Sequence, residues 1–331
     1  MAAPENILLI RLKSIGDVVL TLPAVHAVRD HFPDARLHFL VSRENASIVR
    51  GFADVDEIIP LHRDVFRSGN PLAIASNAVK LVRDLRQKRF SHVIDFQGYG
   101  ETAWFSWLSG APERWGRVHR PARAWAYTHG LATDDRMQIA DWNLGLLQAG
   151  GLPIGRIRNE FVLPPEAKAD ARQFFQDHQL VPGKPTLFIQ ALTSSRKKNW
   201  PLEHYLLLAE HSRQRGVQVL FGGGPADRDA LEPARKAGFV VATGVPLLVA
   251  GGLTELSTVV TGGITGLLHL AVALQKRTVM LVGCPEREPG LPYQHRDWAV
   301  TSAPGALVST IPAEAVIDAT EKAFAEAGLG R

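Results

Sequence analysis

A single carboxylate, Asp17, stands in the elbow of ILLIRLKSIGDVVLTLPAV, residues 7–25. Before it, Ile7 to Ile10 read as a buried strand; after it, Val18 to Val25 read as the opening of a largely buried helix. Gly16 permits a backbone geometry closed to other residues, and free N–H groups at a helix start favour an ionised acid. Two roles fit Asp17. It can cap the helix, or it can act as a general base toward a hydroxyl whose proton grows acidic as the oxygen bonds to an electrophile. A cap alone leaves Arg11, Lys13 and Ser14, crowded into the same loop, without a purpose.

Three loops in the second half carry complementary chemistry. In QALTSSRKKNWPLEHY, residues 190–205, a strand ends in the hydroxyls Thr193, Ser194 and Ser195, then Arg196, Lys197 and Lys198, before a helix opens near Pro201. Hydroxyls and ammonium groups at that end of a strand suit a diphosphate, and a solvated basic loop is the plainer alternative. FGGGPADRDAL, residues 221–231, has three glycines after a strand, but a dinucleotide fingerprint needs glycine at position 227, where Asp227 stands. The Rossmann dehydrogenase signature therefore fails, which sets a dehydrogenase far behind the other readings; Asp227 is read as a ribose partner or a helix cap. In VVTGGITGLLHLAVALQK, residues 259–276, Thr265 and Gly266 open a buried helix whose first N–H groups form an anion site, with His269 one turn in. No His/Cys spacing suits a metal and no Walker loop is present, while TDDR at 133–136 is read as lacking the strand context of a metal-holding acid pair. A leaving diphosphate would then be neutralised by Lys198 and helix N-termini.

The elements that must hold these loops alternate. NILLIRL, ARLHFLV, DEIIPL and HVIDFQ, then PTLFIQA, VQVLFGG, TVVTG and TVMLVG, read as strands separated by helical patterns, which predicts α/β architecture with two parallel, doubly wound sheets. A Gly/Pro-rich stretch divides the series, with the linker read at Leu163 to Glu166, giving domains 1–164 and 165–331. Such domains are expected to turn the carboxyl ends of both sheets toward one cleft, with the final helix after Pro312 packed back on the first domain. The aromatic segment ETAWFSWLSGAPERWGR, residues 101–117, is read as core packing for Trp104, Phe105, Trp107 and Leu108, with a membrane interface as the alternative.

The chain of 331 residues carries a formal net charge of +4, unevenly spread. Residues 60–125 hold eleven Lys/Arg against five Asp/Glu, an excess larger than that of the whole chain, so an anionic partner is expected there. Cys284 is the lone cysteine, which excludes an internal disulfide and suits a reducing cytoplasm. No run approaches the roughly 20 apolar residues of a membrane span, and the N-terminus reads as no signal peptide.

The GD elbow, VIDFQG followed by SWLSGAPERWGR, TSSRKKNWP, GGPADRD and TGLLHLAVAL, in this order, resemble the ADP-heptose:lipopolysaccharide heptosyltransferases, family 9 of the glycosyltransferases, over almost the whole chain. The resemblance implies a GT-B fold of two Rossmann-like domains and inverting, metal-independent transfer without a cofactor. The donor nucleotide-sugar, ADP-heptose, would occupy the C-terminal domain. An anionic lipid-linked glycan acceptor of the lipopolysaccharide inner core would meet the N-terminal one, in a cytoplasmic enzyme with possible peripheral contact at the inner membrane and no nucleic-acid partner. Carried across by motif, Asp17 is the base and Lys198 acts on the leaving group, with Thr193, Ser194, Asp227, Thr265, Gly266 and His269 on the donor. Lys13, Ser14, Arg63, Arg67, Arg117, Arg120 and Arg123 are the acceptor contacts. One position departs: the acid that opens the family's Asp-Thr/Ser-Gly signature is Ile264 here. That leaves open a relative using another nucleotide-sugar, or one that binds without turnover.

Overall fold

The computed structural model describes residues 6–63, 71–134, 136–283 and 290–329; Arg67 and Cys284 lie outside them. The chain forms two compact units, Met1–Phe161 and Val162–Arg331. The division falls just before the linker read from sequence because Leu163 is already 2% exposed, and its side chain lies against Gly251 of the second unit.

In the first unit the strands are β1 (Asn6–Ile10), β2 (Arg36–Ser42), β3 (Glu57–Leu61), β4 (His92–Asp95), β5 (Glu113–Val118) and β6 (His129–Ala132). They pair in parallel in the order β3-β2-β1-β4-β5-β6. Ile7 to Ile10 of the central strand are fully buried, as an unbroken apolar run covered on both faces should be. The second unit repeats the plan with β7 (Thr186–Gln190), β8 (Gln218–Gly223), β9 (Val240–Thr243), β10 (Val259–Gly263), β11 (Arg277–Val282) and β12 (Ala299–Thr301), ordered β12-β11-β10-β7-β8-β9. Strand order reverses between β1 and β4 in one sheet and between β7 and β10 in the other. At such a switch point two loops leave the strand ends in opposite directions and open a crevice for a ligand.

Four strands escaped the sequence reading. β6, β9 and β12 are short sheet edges, and β5, ERWGRV, is half polar because its neighbour is such an edge. Since β6 ends at Ala132, the acid at position 134 does follow a strand; the Asp134 carboxylate accepts the Arg136 N–H at 2.9 Å and closes a turn. The helix expected from Val18 is two pieces, Ile15–Val19 and Leu22–His31. Pro23, without an N–H, breaks the ladder, and the Thr21 hydroxyl bonds the Val18 carbonyl at the break.

The last helix has its core partners in its own unit, and the expectation of core packing for Trp104 and Trp107 is corrected. The final helix, Ala313–Phe324, lies within the second unit: Ala313, Val316 and Ala323 join a core with Leu187, Leu208, Val259 and Val279. That face is the apolar stripe of an amphipathic helix, and β10, β11 and the helix Leu202–Gln214 supply the matching apolar partner. In helix Gly100–Leu108, Phe105 is buried, but Trp104 and Trp107 are 51% and 46% exposed. Helical spacing turns Thr102, Ala103, Phe105 and Ser106 inward, so the two indoles must point out.

Candidate active site

At the first switch point the loop after β1 meets the loop after β4. Arg11 leaves the strand end 3% exposed, donating from Nη1 to the Phe96 carbonyl at 2.5 Å and pairing through Nη2 with Asp17 Oδ2 at 2.7 Å. Asp17 is the third residue of helix Ile15–Val19, and the same Oδ2 accepts the Ser14 N–H at 3.0 Å. Capping and ion pairing thus both fall on one oxygen. Among the described residues no donor reaches Oδ1, and the side chain keeps 28% of its exposure. A carboxylate held by one oxygen and open at the other can receive a proton there.

Gln97 fixes the elbow from the other loop: its Oε1 accepts the N–H groups of Leu12 and Lys13, each at 3.1 Å. Gly98 follows at φ +66°, and a Cβ there would lie 2.2 Å from the Arg117 carbonyl oxygen, so only glycine permits this approach. Beneath it Asp95 is fully buried, accepting from the N–H groups of Gln97 and Gly98 and from the Tyr127 hydroxyl at 2.7 Å. Burial pushes the Asp95 carboxyl up, against those hydrogen bonds; burial and then the Asp95 charge push the Tyr127 phenol up.

The cations expected to meet an acceptor divide. Lys13 lies 5.7 Å from the Tyr99 ring centroid, Ser14 is exposed, and Arg123 Nη1 donates to the Gly98 carbonyl at 3.2 Å, so these flank the elbow. Arg120 is exposed at the start of the Pro121–Ala126 turn. Arg63 is bound to Glu101 at 2.8 Å, and Arg117 lies over the Trp142 ring at 4.5 Å, so both have partners within the unit. His119, which sequence reasoning missed, bonds the Gln97 carbonyl at 3.1 Å and lies beside Tyr99. Partial desolvation, then the charges of Arg117, Arg11 and Arg123, hold its imidazole below the ordinary value despite that hydrogen bond. A lone His between arginines gives no spacing signal, so only the strand order could have brought it to this loop.

The second switch point gathers the donor candidates. The Thr193 N–H is held by Asn199 Oδ1 at 2.8 Å, and its hydroxyl bonds the Ser195 carbonyl at 2.9 Å, folding the loop into a turn on which Lys198 is exposed. Ser194 is exposed on the same turn. Asn199 is the second residue missed; its acceptor oxygen acts six residues back, a spacing that reads as ordinary loop. From β10, Gly263 comes so close that a Cβ would lie 2.8 Å from Thr193 Cγ2 and 3.0 Å from the Lys198 carbonyl oxygen. Thr265 caps the helix Gly266–Ala273, accepting the Leu268 N–H at 3.3 Å, and His269 is buried in its first turn. Thr193, Lys198, Thr265 and Gly266 therefore stand on the two loops that part at this switch point. Asp227 belongs to the neighbouring β8 loop, where its Oδ2 accepts the Gly224 N–H at 2.8 Å.

Ile264 is packed against Gly290: a Cβ on that glycine would meet Ile264 Cδ1 at 2.5 Å. It lines a pocket of about 180 Å³ with Lys197, Lys198, Leu281, Leu307 and Val308. Where the family signature has a carboxylate, the wall is aliphatic, with Lys197 and Lys198 among the residues that line it.

The model of glycosyltransferase family 9 (heptosyltransferase) matches residues 78–308. The chain belongs to that family. It is 26% identical over 294 residues to lipopolysaccharide heptosyltransferase 1 of Pseudomonas aeruginosa, covering 84% of this chain and 78% of the relative. To the same-named protein of Escherichia coli O18:K1:H7 it is 25% identical, covering 94% and 95%. A family 9 glycosyltransferase structure from Veillonella parvula superposes with a TM-score of 0.87 at 20% identity, covering 97% of both chains. An E. coli heptosyltransferase solved with ADP gives 0.76 at 21%, covering 96% and 99%. The fold of this family 9 glycosyltransferase is GT-B, with two Rossmann-like parallel sheets. No described helix is long and apolar enough to cross a membrane.

Proposed function

We propose that this family 9 enzyme transfers heptose from ADP-heptose to an anionic acceptor of the lipopolysaccharide inner core, with inversion and without a metal. The observation that carries the reading is Asp17, anchored through Oδ2 by Arg11 and the Ser14 N–H and, among the described residues, open at Oδ1. In the proposed step the acceptor oxygen attacks the anomeric carbon on the face opposite the diphosphate. Its proton passes to Asp17 Oδ1 as the bond to the diphosphate oxygen breaks and ADP leaves with the electron pair. Lys198, the Thr193 and Ser194 hydroxyls and the N–H groups at Gly266 stabilise the charge that develops on the departing phosphate. Asp227 and His269 complete the donor side, while Lys13, Ser14, Arg120, Arg123 and His119 receive the acceptor's anionic groups. Incubation with ADP-heptose and a heptose-free inner-core acceptor, read by mass spectrometry, should add one heptose per acceptor, with and without EDTA. Failure to add sugar, or loss of the reaction in EDTA, counts against the proposal.

A second reading rests on Ile264. An aliphatic wall cannot accept a hydrogen bond from a sugar hydroxyl, and leaving one unpaired costs about 1–3 kcal/mol. A donor carrying a methyl or hydrogen at that point would suit the pocket better. Competition among ADP-sugars that differ at single hydroxyls separates the readings: selection of a deoxy donor over heptose favours the second.

A further inference from the structure

Helix Gly100–Leu108 turns two indoles outward, and Trp125, on the Pro121–Ala126 turn, comes to meet them. The three rings touch edge to face: Trp104 and Trp125 centroids are 4.7 Å apart, and Trp107 lies 5.8 Å from each. Yet all three remain about half exposed. Side chains of this size normally find cover in a core, so a continuous patch of them left in water marks a surface that meets something.

The patch does not end at the indoles. Leu108, one turn beyond Trp104, forms one wall of an open groove with Val79, Val82, Arg83, Arg86 and Arg89, from the helix Pro71–Gln87 and the turn after it. Val79 is 68% exposed. The Arg86 Nε bonds the Leu108 carbonyl at 2.7 Å and ties the two walls together. Among the described residues, the groove lining holds three arginines and no carboxylate; the nearby Asp84 pairs with Arg83 at 3.6 Å. Exposed indoles beside arginines on apolar stems match the boundary between headgroups and acyl chains, where rings settle at the polar–apolar level and guanidinium groups meet phosphates.

We propose that this face, formed by Trp104, Trp107, Trp125 and the Val79–Arg83–Arg86–Leu108 groove, docks on an anionic phospholipid bilayer. The charge selects the occupant: a neutral protein groove would leave three arginines opposite apolar surface, whereas a phosphate-bearing leaflet satisfies them. The docking stands on this surface alone, apart from the transferase reading.

Flotation with vesicles of phosphatidylglycerol and phosphatidylcholine, against phosphatidylcholine alone, tests it on the full chain. The protein should float with anionic vesicles and stay behind with neutral ones, and binding should weaken as salt is raised. The combined variant Trp104→Ala, Trp107→Ala, Trp125→Ala, and separately Arg83→Glu with Arg86→Glu, should each bind about tenfold more weakly, a loss consistent with several interfacial anchors acting together. Both should fold and melt within a few degrees of the parent, since these side chains face solvent and the losses are confined to the indole–indole contacts and the single Arg86–Leu108 hydrogen bond. Vesicles with brominated acyl chains should quench the tryptophan emission of the unaltered protein, a readout that needs no variant. Absence of quenching, parent-like flotation by the triple alanine variant, or a concentration-dependent dimer that the triple variant abolishes would each overturn the proposal. No sugar donor enters these measurements, so their failure leaves the question of catalysis untouched.

Discussion

Replacing Asp17 by Asn separates what its charge does for the fold from what it does for transfer. The amide keeps the shape and an acceptor oxygen for the Ser14 N–H, now 3.0 Å away, but strips the counter-charge from Arg11, 3% exposed. Fully buried pairs lose about 3–5 kcal/mol when one charge is removed. Here the carboxylate keeps 28% exposure and the Phe96 carbonyl still accepts from Arg11, so the expected loss is smaller, about 1–3 kcal/mol. For a unit of this size, that lowers the melting temperature by roughly 2–12 °C, readable by circular dichroism. Transfer should fall much further, by about 10²- to 10⁴-fold, because the base is gone. Combining Asp17→Asn with Arg11→Met removes the stranded cation; stability should recover in part while transfer stays lost. Transfer within a few-fold of the parent in Asp17→Asn, or its return together with stability in the double variant, would refute the base assignment and leave Asp17 a structural residue.

Four other outcomes follow from the geometry. Gly263→Ala drives a methyl against Thr193 and the Lys198 carbonyl oxygen, so ADP affinity measured by calorimetry should drop about fivefold or more, the result of about 1–3 kcal/mol of overpacking at the turn; unchanged affinity would place the nucleotide elsewhere. Ile264→Asp restores an acceptor to the pocket wall and should shift the ratio of kcat/KM toward hydroxyl-bearing donors in a competition assay; an unmoved ratio would remove Ile264 from donor choice. Tyr127→Phe deprives the buried Asp95 of one donor while the Gln97 and Gly98 N–H groups remain, and should cost about 1–3 kcal/mol in urea unfolding, with parent-like stability contradicting the role given to that hydroxyl. His119, held below the ordinary imidazole value, is neutral at pH 7; its contribution to stability is full above about pH 6.5 and is lost as pH falls through its folded value. An anion seated beside it favours the imidazolium, so acceptor binding should take up a proton and tighten as pH drops across that window; calorimetry in buffers of different ionisation enthalpy that shows no uptake would place the anion away from His119.

The strands that are apolar without interruption were legible, since short runs such as Ile7–Ile10 or Val279–Val282 suit a sheet covered on both faces. Edge strands were not, because β6 and β12 bury little and alternate with nothing. Asp17, Thr193, Lys198, Thr265 and Gly266 could be marked because each stands at the end of a readable strand, and strand ends are where doubly wound sheets bind ligands. Gln97 and His119 act on neighbouring loops and Asn199 on its own, each through one or two hydrogen bonds, and a polar residue in a loop carries no trace of what it will touch. Arg63 shows the converse: its charge marked it for an anion, but Glu101, 38 residues away in sequence, takes it. The outward turn of Trp104 and Trp107 depended on which face of a short helix meets the sheet, and nine residues rich in aromatic side chains do not declare one.

The central claim is transfer of a sugar from a nucleoside diphosphate with Asp17 as base, and proton NMR of the running reaction tests it most directly. With ADP-heptose, a heptose-free inner-core acceptor and EDTA present, the account predicts a new glycosidic anomeric signal of opposite configuration to the donor, one ADP released per bond formed. The Asp17→Asn variant should give neither at a comparable rate. Retention of configuration, or ADP released without a matching glycosidic bond, would contradict it.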